Sequence, residues 1–231
     1  YTRYRIDIRK YGLDKIPGIR WNILKRMLNV SFWTMVQNFL SLSTWFLLFL
    51  YVEHLGERSL AVTNIIRNVS GIMFMVMMAF ASTCGSLVSN LIGAGHTDCV
   101  PGTIRQHIRI AYAFVLPLAV FFALCPKLIL SVYTDMPELQ EAAVPSLCSA
   151  YLFLVPANVY FQSVSGTGNT RTALALEMIT LVVYTCYITY IVAYLKLDVA
   201  FAWTSEIVYS VGILVLCYFY MKKGKWSLKK I

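Results

Sequence analysis

Charge is scarce in this 231-residue chain. Asp, Glu, Lys and Arg make up 13% of it, against 58% hydrophobic residues. Soluble domains carry roughly 25% charged and 45–50% apolar residues, so the deficit excludes the ordinary soluble class. Histidine is rarer still: His54, His96 and His107 are the full set, and all fall at loops or helix ends. His96 and Cys99 have the spacing of two metal ligands, with Asp98 beside them, but a metal site needs more. No nucleophile stands with a base, and no Gly-rich phosphate loop is present. Gly93-Ala94-Gly95 fits a helix C-cap and turn instead. No secretory signal pattern occurs, because the first 26 or so residues are polar and basic. These absences argue against catalysis. Six cysteines (Cys84, Cys99, Cys125, Cys148, Cys186, Cys217) fall mostly within or at the ends of apolar runs and read as small apolar residues.

What is present is a series of long apolar runs. Six are expected: about 27–52, 60–92, 108–130 with Pro117 inside, 142–165 with Pro145 and Pro156, 172–195, and 199–221. Each is near the ~20 residues that span a bilayer, and runs of this kind cross lipid as helices. The fold class is therefore all-α, a polytopic membrane protein. Three regions are expected: a basic amphipathic segment 1–26, a six-helix body 27–221, and a basic tail 222–231. In the first, Ile19, Ile23 and Met27 share one face, with Trp21 placed for the headgroup level.

The net charge is +9. In a soluble chain that would raise nucleic acid as a partner. Here the cations gather outside the apolar runs, so the bilayer is the partner expected and nucleic acid is not. Sixteen of the 20 Lys and Arg lie on one side: residues 1–26, Arg105, Arg109, Arg171 and the tail lysines. The other side holds Arg58, Lys127 and Lys196, with most of the acids. The positive-inside rule then predicts six spans with both ends cytoplasmic. The turn from Gly166 to Arg171 is so short that it makes its flanking helices antiparallel neighbours.

Polar residues inside the spans are the first functional candidates. Gln37, Asn38 and Ser41 lie in the first span, Asn64 and Asn68 in the second, and Asn158 and Gln162 in the fourth. Together they can wall a polar cavity; alternatively they hydrogen-bond helix to helix. Pro156 and Pro117 each free a carbonyl one turn earlier, near Leu152 and Ala113. Such a kink serves an ion, a substrate or a hinge, or is closed by a neighbour. Arg67 and Glu206 enter from the same side to similar depth, about 10 Å for Glu206, which points to an ion pair. Snorkelling of Arg67 or a proton on Glu206 are the alternatives. Glu177 lies at similar depth from the other side, with no partner legible.

Several motifs resemble one family. Val88-Ser-Asn-Leu-Ile-Gly-Ala-Gly95 closing the second helix, the Gly166 to Arg171 turn, and Met221-Lys-Lys-Gly-Lys-Trp226 are similar to segments of the multidrug and toxic compound extrusion (MATE) transporters. The His54-Leu-Gly56 corner followed by Asn64 and Asn68 also sits where that family places one. The resemblance implies the C-terminal six-helix lobe of a twelve-helix, pseudo-symmetric antiporter of the cell inner membrane. Such a protein exports organic cations or amphiphiles against a sodium or proton gradient, with no other cofactor. Residues 1–26 would be the inter-lobe linker, and the N-terminal lobe of the same polypeptide would be the missing partner. Many members carry membrane acids in the first and fourth helices of this lobe. Here those neighbourhoods read Gln37-Asn38 to Ser41 and Pro156-Ala157-Asn158, with no carboxylate. The coupling acid is therefore expected outside this chain. Two other readings are a flippase for lipid-linked oligosaccharide, which would need several cavity cations, and a membrane-integral lipid enzyme.

Overall fold

The computed structural model describes residues 20–54, 56–124, 144–195, 197, 199–223 and 226. The elements are α1 (Trp21–Glu53), α2 (Glu57–Gly93), a 3-10 turn (Thr97–Cys99), α3 (Val100–Leu124), α4 (Val144–Gly166), α5 (Thr170–Ile188) continued by a π-helical segment (Thr189–Tyr194), a short α6 (Val199–Ala202) and α7 (Ser205–Lys222). No strand occurs among the described residues, and the all-α polytopic membrane class holds. Five helical stretches are long and apolar enough to cross a membrane: Trp21–Glu53, Ser59–Gly93, Thr97–Phe122, Thr170–Tyr194 and Ser205–Lys222. The 23-residue α4 carries Pro156 inside an otherwise largely apolar course.

The chain divides into two compact units, 1–32 and 33–231. In the first, the described residues are the opening turns of α1, with Trp21, Ile23, Met27 and Leu28 exposed. An amphipathic helix separate from the first span was expected here, yet α1 runs unbroken through residues 26 and 27. No helix breaker stands in Lys25–Val30, so nothing in the chain ends the helix there. The basic residues of 1–19, the loop cations and acids of 125–143, Lys196, Asp198 and most of the tail lie outside the described residues.

In the second unit, α4 is the central helix. It packs against α2, α3 and α7, and α5 lies on α7 and α4. Buried side chains form two clusters. One, toward the Gly56 end, holds Leu48, Val52, Met73, Val115, Val155, Tyr184 and Trp203. The other, toward the Gly168 end, holds Cys84, Val88, Ile104, Val159, Ala173, Cys217 and Trp226. α1 contributes only to the first. Its Met35, Phe39 and Phe46 form an exposed stripe at helical spacing, as a lipid-facing surface requires.

Three differences from the expected runs have local causes. α3 begins at Val100 rather than near 108, because Pro101 suits the first turn of a helix, where its missing N–H is no loss. The last run is not one helix from 199: it turns at Trp203–Thr204 and restarts at Ser205. There Thr204 and Ser205 hydroxyls bond back to Phe201 O and Ala202 O at 2.6 Å each, competing with regular helix pairing. The end of α5 widens to π geometry, with Leu195 N bonding Tyr190 O five residues back. The carbonyl freed by Pro156 is closed by a neighbour: Tyr112 donates its hydroxyl to Leu152 O at 2.5 Å.

Gly168, at φ 76°, takes the left-handed conformation that the Gly166–Arg171 turn requires. The closest approach in the fold lies beside that turn. A Cβ on Gly166 would stand 2.3 Å from Gly85 O, and one on Gly85 would stand 2.7 Å from Gln162 O. α2 and α4 therefore meet backbone to backbone. Gly85→Ala and Gly166→Ala should each lower stability by about 1–3 kcal/mol, the usual cost of overpacking. Gly93→Ala, where a Cβ meets nothing within 4 Å, should not carry that clash. Thermal unfolding in detergent, with the three variants side by side, checks this.

Candidate functional site

Between α1, α2, α4, α5 and α7 lies a cavity of about 710 Å³, within the range of small-molecule sites. Each helix brings its wall residues by helical spacing. α1 turns Gln37, Ser41, Thr44 and Trp45 inward, opposite its lipid stripe. α2 supplies Arg67, Asn68 and Ser70, and α4 supplies Tyr151, Asn158 and Gln162. α5 buries Thr170, Ala173, Glu177, Thr180, Leu181, Tyr184 and Ile188 along one stripe, of which Glu177, Leu181 and Tyr184 reach the cavity.

Of the candidates named from sequence, Gln37, Asn38, Ser41, Asn68, Asn158 and Gln162 all line this cavity. Asn64 does not; it is exposed on α2. Asn158 also spends a donor on its own helix, to Leu154 O at 3.0 Å. Arg67 and Glu206 line the cavity too, but the ion pair expected from their depths is not formed. The Arg67 guanidinium lies 5.5 Å from the centroids of both Trp45 and Phe49, a cation–π arrangement. Glu206 instead accepts from the Tyr184 hydroxyl at 3.5 Å. The depth argument treated 199–221 as one helix. The turn at Trp203–Thr204 moves Glu206 into the first turn of α7, where the helix dipole favours a carboxylate.

The residue that sequence reasoning left without a partner is the best enclosed. Glu177 is 3% exposed. Its Oε1 accepts from Ser41 of α1 and, at 3.4 Å, from Tyr209 of α7. Its Oε2 is buried with no hydrogen-bond partner, as is Nε1 of Trp203 on the same cavity wall. Tyr209 and Tyr184 meet edge to face, with centroids 6.0 Å apart, so the two carboxylates are linked through a tyrosine pair. The stripe of small and polar residues on the inward side of α5 was the available signal for Glu177. Trp203, Tyr184 and Tyr209 carried none, because aromatic residues are common on every face of these helices.

α1 is tied to α5 at three heights. Arg171 sits over the Trp33 ring at 4.9 Å, Ser41 bonds Glu177, and Tyr51 meets Thr189 at 3.2 Å. With the native cysteines replaced, Asn158→Cys should react with a water-soluble maleimide, since Asn158 faces the cavity. Ala157→Cys, one residue away and fully buried, should stay unlabelled over the same time; an Asn158→Cys that stays as unlabelled as Ala157→Cys would mean the cavity is closed to water.

The comparisons with known proteins agree with this architecture. The family model MatE matches residues 34–195. The protein named "Probable multidrug resistance protein NorM" of Thermotoga maritima is 25% identical over 236 residues, covering all of this chain. The chain spans about half the length of that relative, 50%. A family match over more than half of the chain, which takes in α2 to α5 and most of α1, is sufficient: the chain belongs to the MatE family.

Proposed function

We propose that this chain forms one six-helix lobe of a secondary transporter. The transporter exports organic cations or cationic amphiphiles across the cell inner membrane, driven by a sodium or proton gradient. The observation that carries this reading is the charge of the cavity. Its ionisable lining is two carboxylates, Glu177 and Glu206, against one guanidinium, Arg67. Arg67 is already held over Trp45 and Phe49. Two acidic groups against one basic group, with aromatic walls, favour a cation with an apolar body. A lipid-linked pyrophosphate would need several free cations, so the flippase reading is the weaker one. Membership of a transporter family disfavours the lipid enzyme.

On this reading both ends of the chain are cytoplasmic, as the loop charges predict. A second lobe supplies the facing wall of the transport path. Glu206 is the group that meets the cargo, because it is partly exposed on the cavity wall and, among the described residues, its carboxylate takes one hydrogen bond, from Tyr184 at 3.5 Å.

Efflux of tetraphenylphosphonium from proteoliposomes of the complete transporter tests this, under a sodium gradient and a pH gradient in separate runs. One gradient should drive export, and its collapse should stop it. Glu206→Gln should raise KM about tenfold, the scale of one lost charge-assisted contact. Export that neither gradient drives, or a KM indifferent to Glu206, would end the proposal.

A further inference from the structure

A shallow groove runs along the face of α4 that is turned away from the cavity. Phe153 and Tyr160 stand seven positions apart on α4, two helical turns, and so share that face. Neither lines the cavity, whereas Asn158 and Gln162 do. α3 and α7 each pack along α4 and form the two banks. On α3, Tyr112 donates to Leu152 O of α4. That bond turns the column of Arg105, Arg109 and Tyr112 toward α4, since the three share one helical face. Counted away from the bond along two antiparallel helices, Arg105 comes level with Tyr160. On α7, Val211, Val215, Tyr218 and Lys222 fall on one face. The Tyr218 ring meets the Tyr160 ring edge to face, with centroids 5.7 Å apart.

One end of the groove is positive. Lys222 Nζ lies 6.0 Å from the centroid of the Tyr218 ring, and the Arg105 guanidinium is close enough to act through space on the Tyr160 hydroxyl. Both cations are exposed, and no acid pairs with either among the described residues. α3 and α4 contain no Asp or Glu, and the single acid of α7, Glu206, stands at the far end of that helix. Asp98, in the turn before α3, is seven positions from Arg105. The Tyr160 and Tyr218 hydroxyls also lack a hydrogen-bond partner among the described residues, and lipid tails offer none. Away from the cations the groove is apolar, with Leu152, Phe153, Val211 and Val215 exposed. A free phosphate would answer the cations and hydroxyls but leave that stretch uncovered. A phospholipid answers both, with its phosphate at the cations and a chain along the apolar stretch.

We propose that the groove between α3, α4 and α7 binds one anionic phospholipid, its phosphate between Arg105 and Lys222 and an acyl chain over Phe153 and Val215. The Tyr160 and Tyr218 hydroxyls donate to the headgroup oxygens. A zwitterionic lipid carries the same phosphate, but its ammonium adds a cation where two already stand without an acid, so the anionic headgroup is preferred. The site does not rest on the transport reading; only its leaflet does. In the orientation proposed above, Arg105 and Lys222 lie at the cytoplasmic surface, the leaflet that carries anionic lipid. The lipid also has a structural role. α3 and α7 are joined mainly through α4, and a phosphate held by both banks ties them directly.

Native mass spectrometry of the complete transporter in detergent, titrated with dioleoylphosphatidylglycerol, tests the site without any transport assay. One lipid should bind ahead of the rest, and more tightly than dioleoylphosphatidylcholine does. Arg105→Gln and Lys222→Gln should each weaken that first step about fivefold, the scale of one cation at an anionic surface. Lys223→Gln removes a neighbouring cation about 100° round the helix from the groove and should leave the step unchanged. Equal affinity for the two lipids, no weakening by either groove variant, or equal weakening by Lys223→Gln overturns the proposal. A competing arm with inorganic phosphate separates the sources: phosphate that displaces the lipid at the lipid's own concentration gives the site to a soluble anion and overturns the lipid assignment. Thermal unfolding is the second readout. Dioleoylphosphatidylglycerol should raise the melting temperature of the wild type, and raise that of Arg105→Gln less; an equal rise in both overturns the proposal.

Discussion

The contact between Gly85 and Gly166 is the constraint from which the rest of the helix arrangement follows. With no side chain at either position, α2 and α4 touch through their backbones. That brings α4 to the centre, where α3 and α7 can also reach it. α1 has no such contact. Its fully buried apolar contribution to the core, among the described residues, is Leu48 and Val52, and single polar or cation–π contacts tie it to α5 and α2. The space left between α1 and the α4-centred group is the cavity. A tight seam on one side and a loose one on the other are thus two aspects of the same packing.

Lipid offers no hydrogen bonds, so each polar group within the helices needs a partner in the protein. Most find one locally. Leu152 O, released by Pro156, takes Tyr112, and Ser70 O takes Tyr151. Trp226 closes the last turn of α7 by donating to Met221 O at 2.8 Å. Among the described residues three buried side-chain atoms remain unpartnered: Thr63 Oγ1, Glu177 Oε2 and Trp203 Nε1. Two of the three face the cavity.

Departures from regular helix occur on three of the helices that supply the cavity wall. The turn at Trp203–Thr204 puts Glu206 at a helix start and seats the Trp203 indole in the wall. Pro156 bends α4 just before Asn158 and Gln162. The π segment widens α5 beyond Ile188, next to the Tyr51–Thr189 tie.

The sequence alone determined the class and the wall. Apolar runs of spanning length can only be helices in lipid, and amides one turn apart share a face, so Gln37, Asn38, Ser41, Asn68, Asn158 and Gln162 were legible as cavity candidates, although the same rule also named Asn64, which lies outside the cavity. Short motifs at Gly95, Gly168 and Trp226 carried the family, because turns and caps constrain residue type locally. The sequence could not say which acid the packing encloses. Glu177 is one carboxylate in a 19-residue helix, and its partners Ser41 and Tyr209 lie 136 and 32 positions away. Depth counted along an assumed straight helix paired Arg67 with Glu206; the turn at Trp203 and the aromatic rings of Trp45 and Phe49 separated them. Local patterns record periodicity, which belongs to one helix at a time. Which oxygen meets which hydroxyl depends on how helices distant in sequence rotate against one another, and only the tertiary packing decides that.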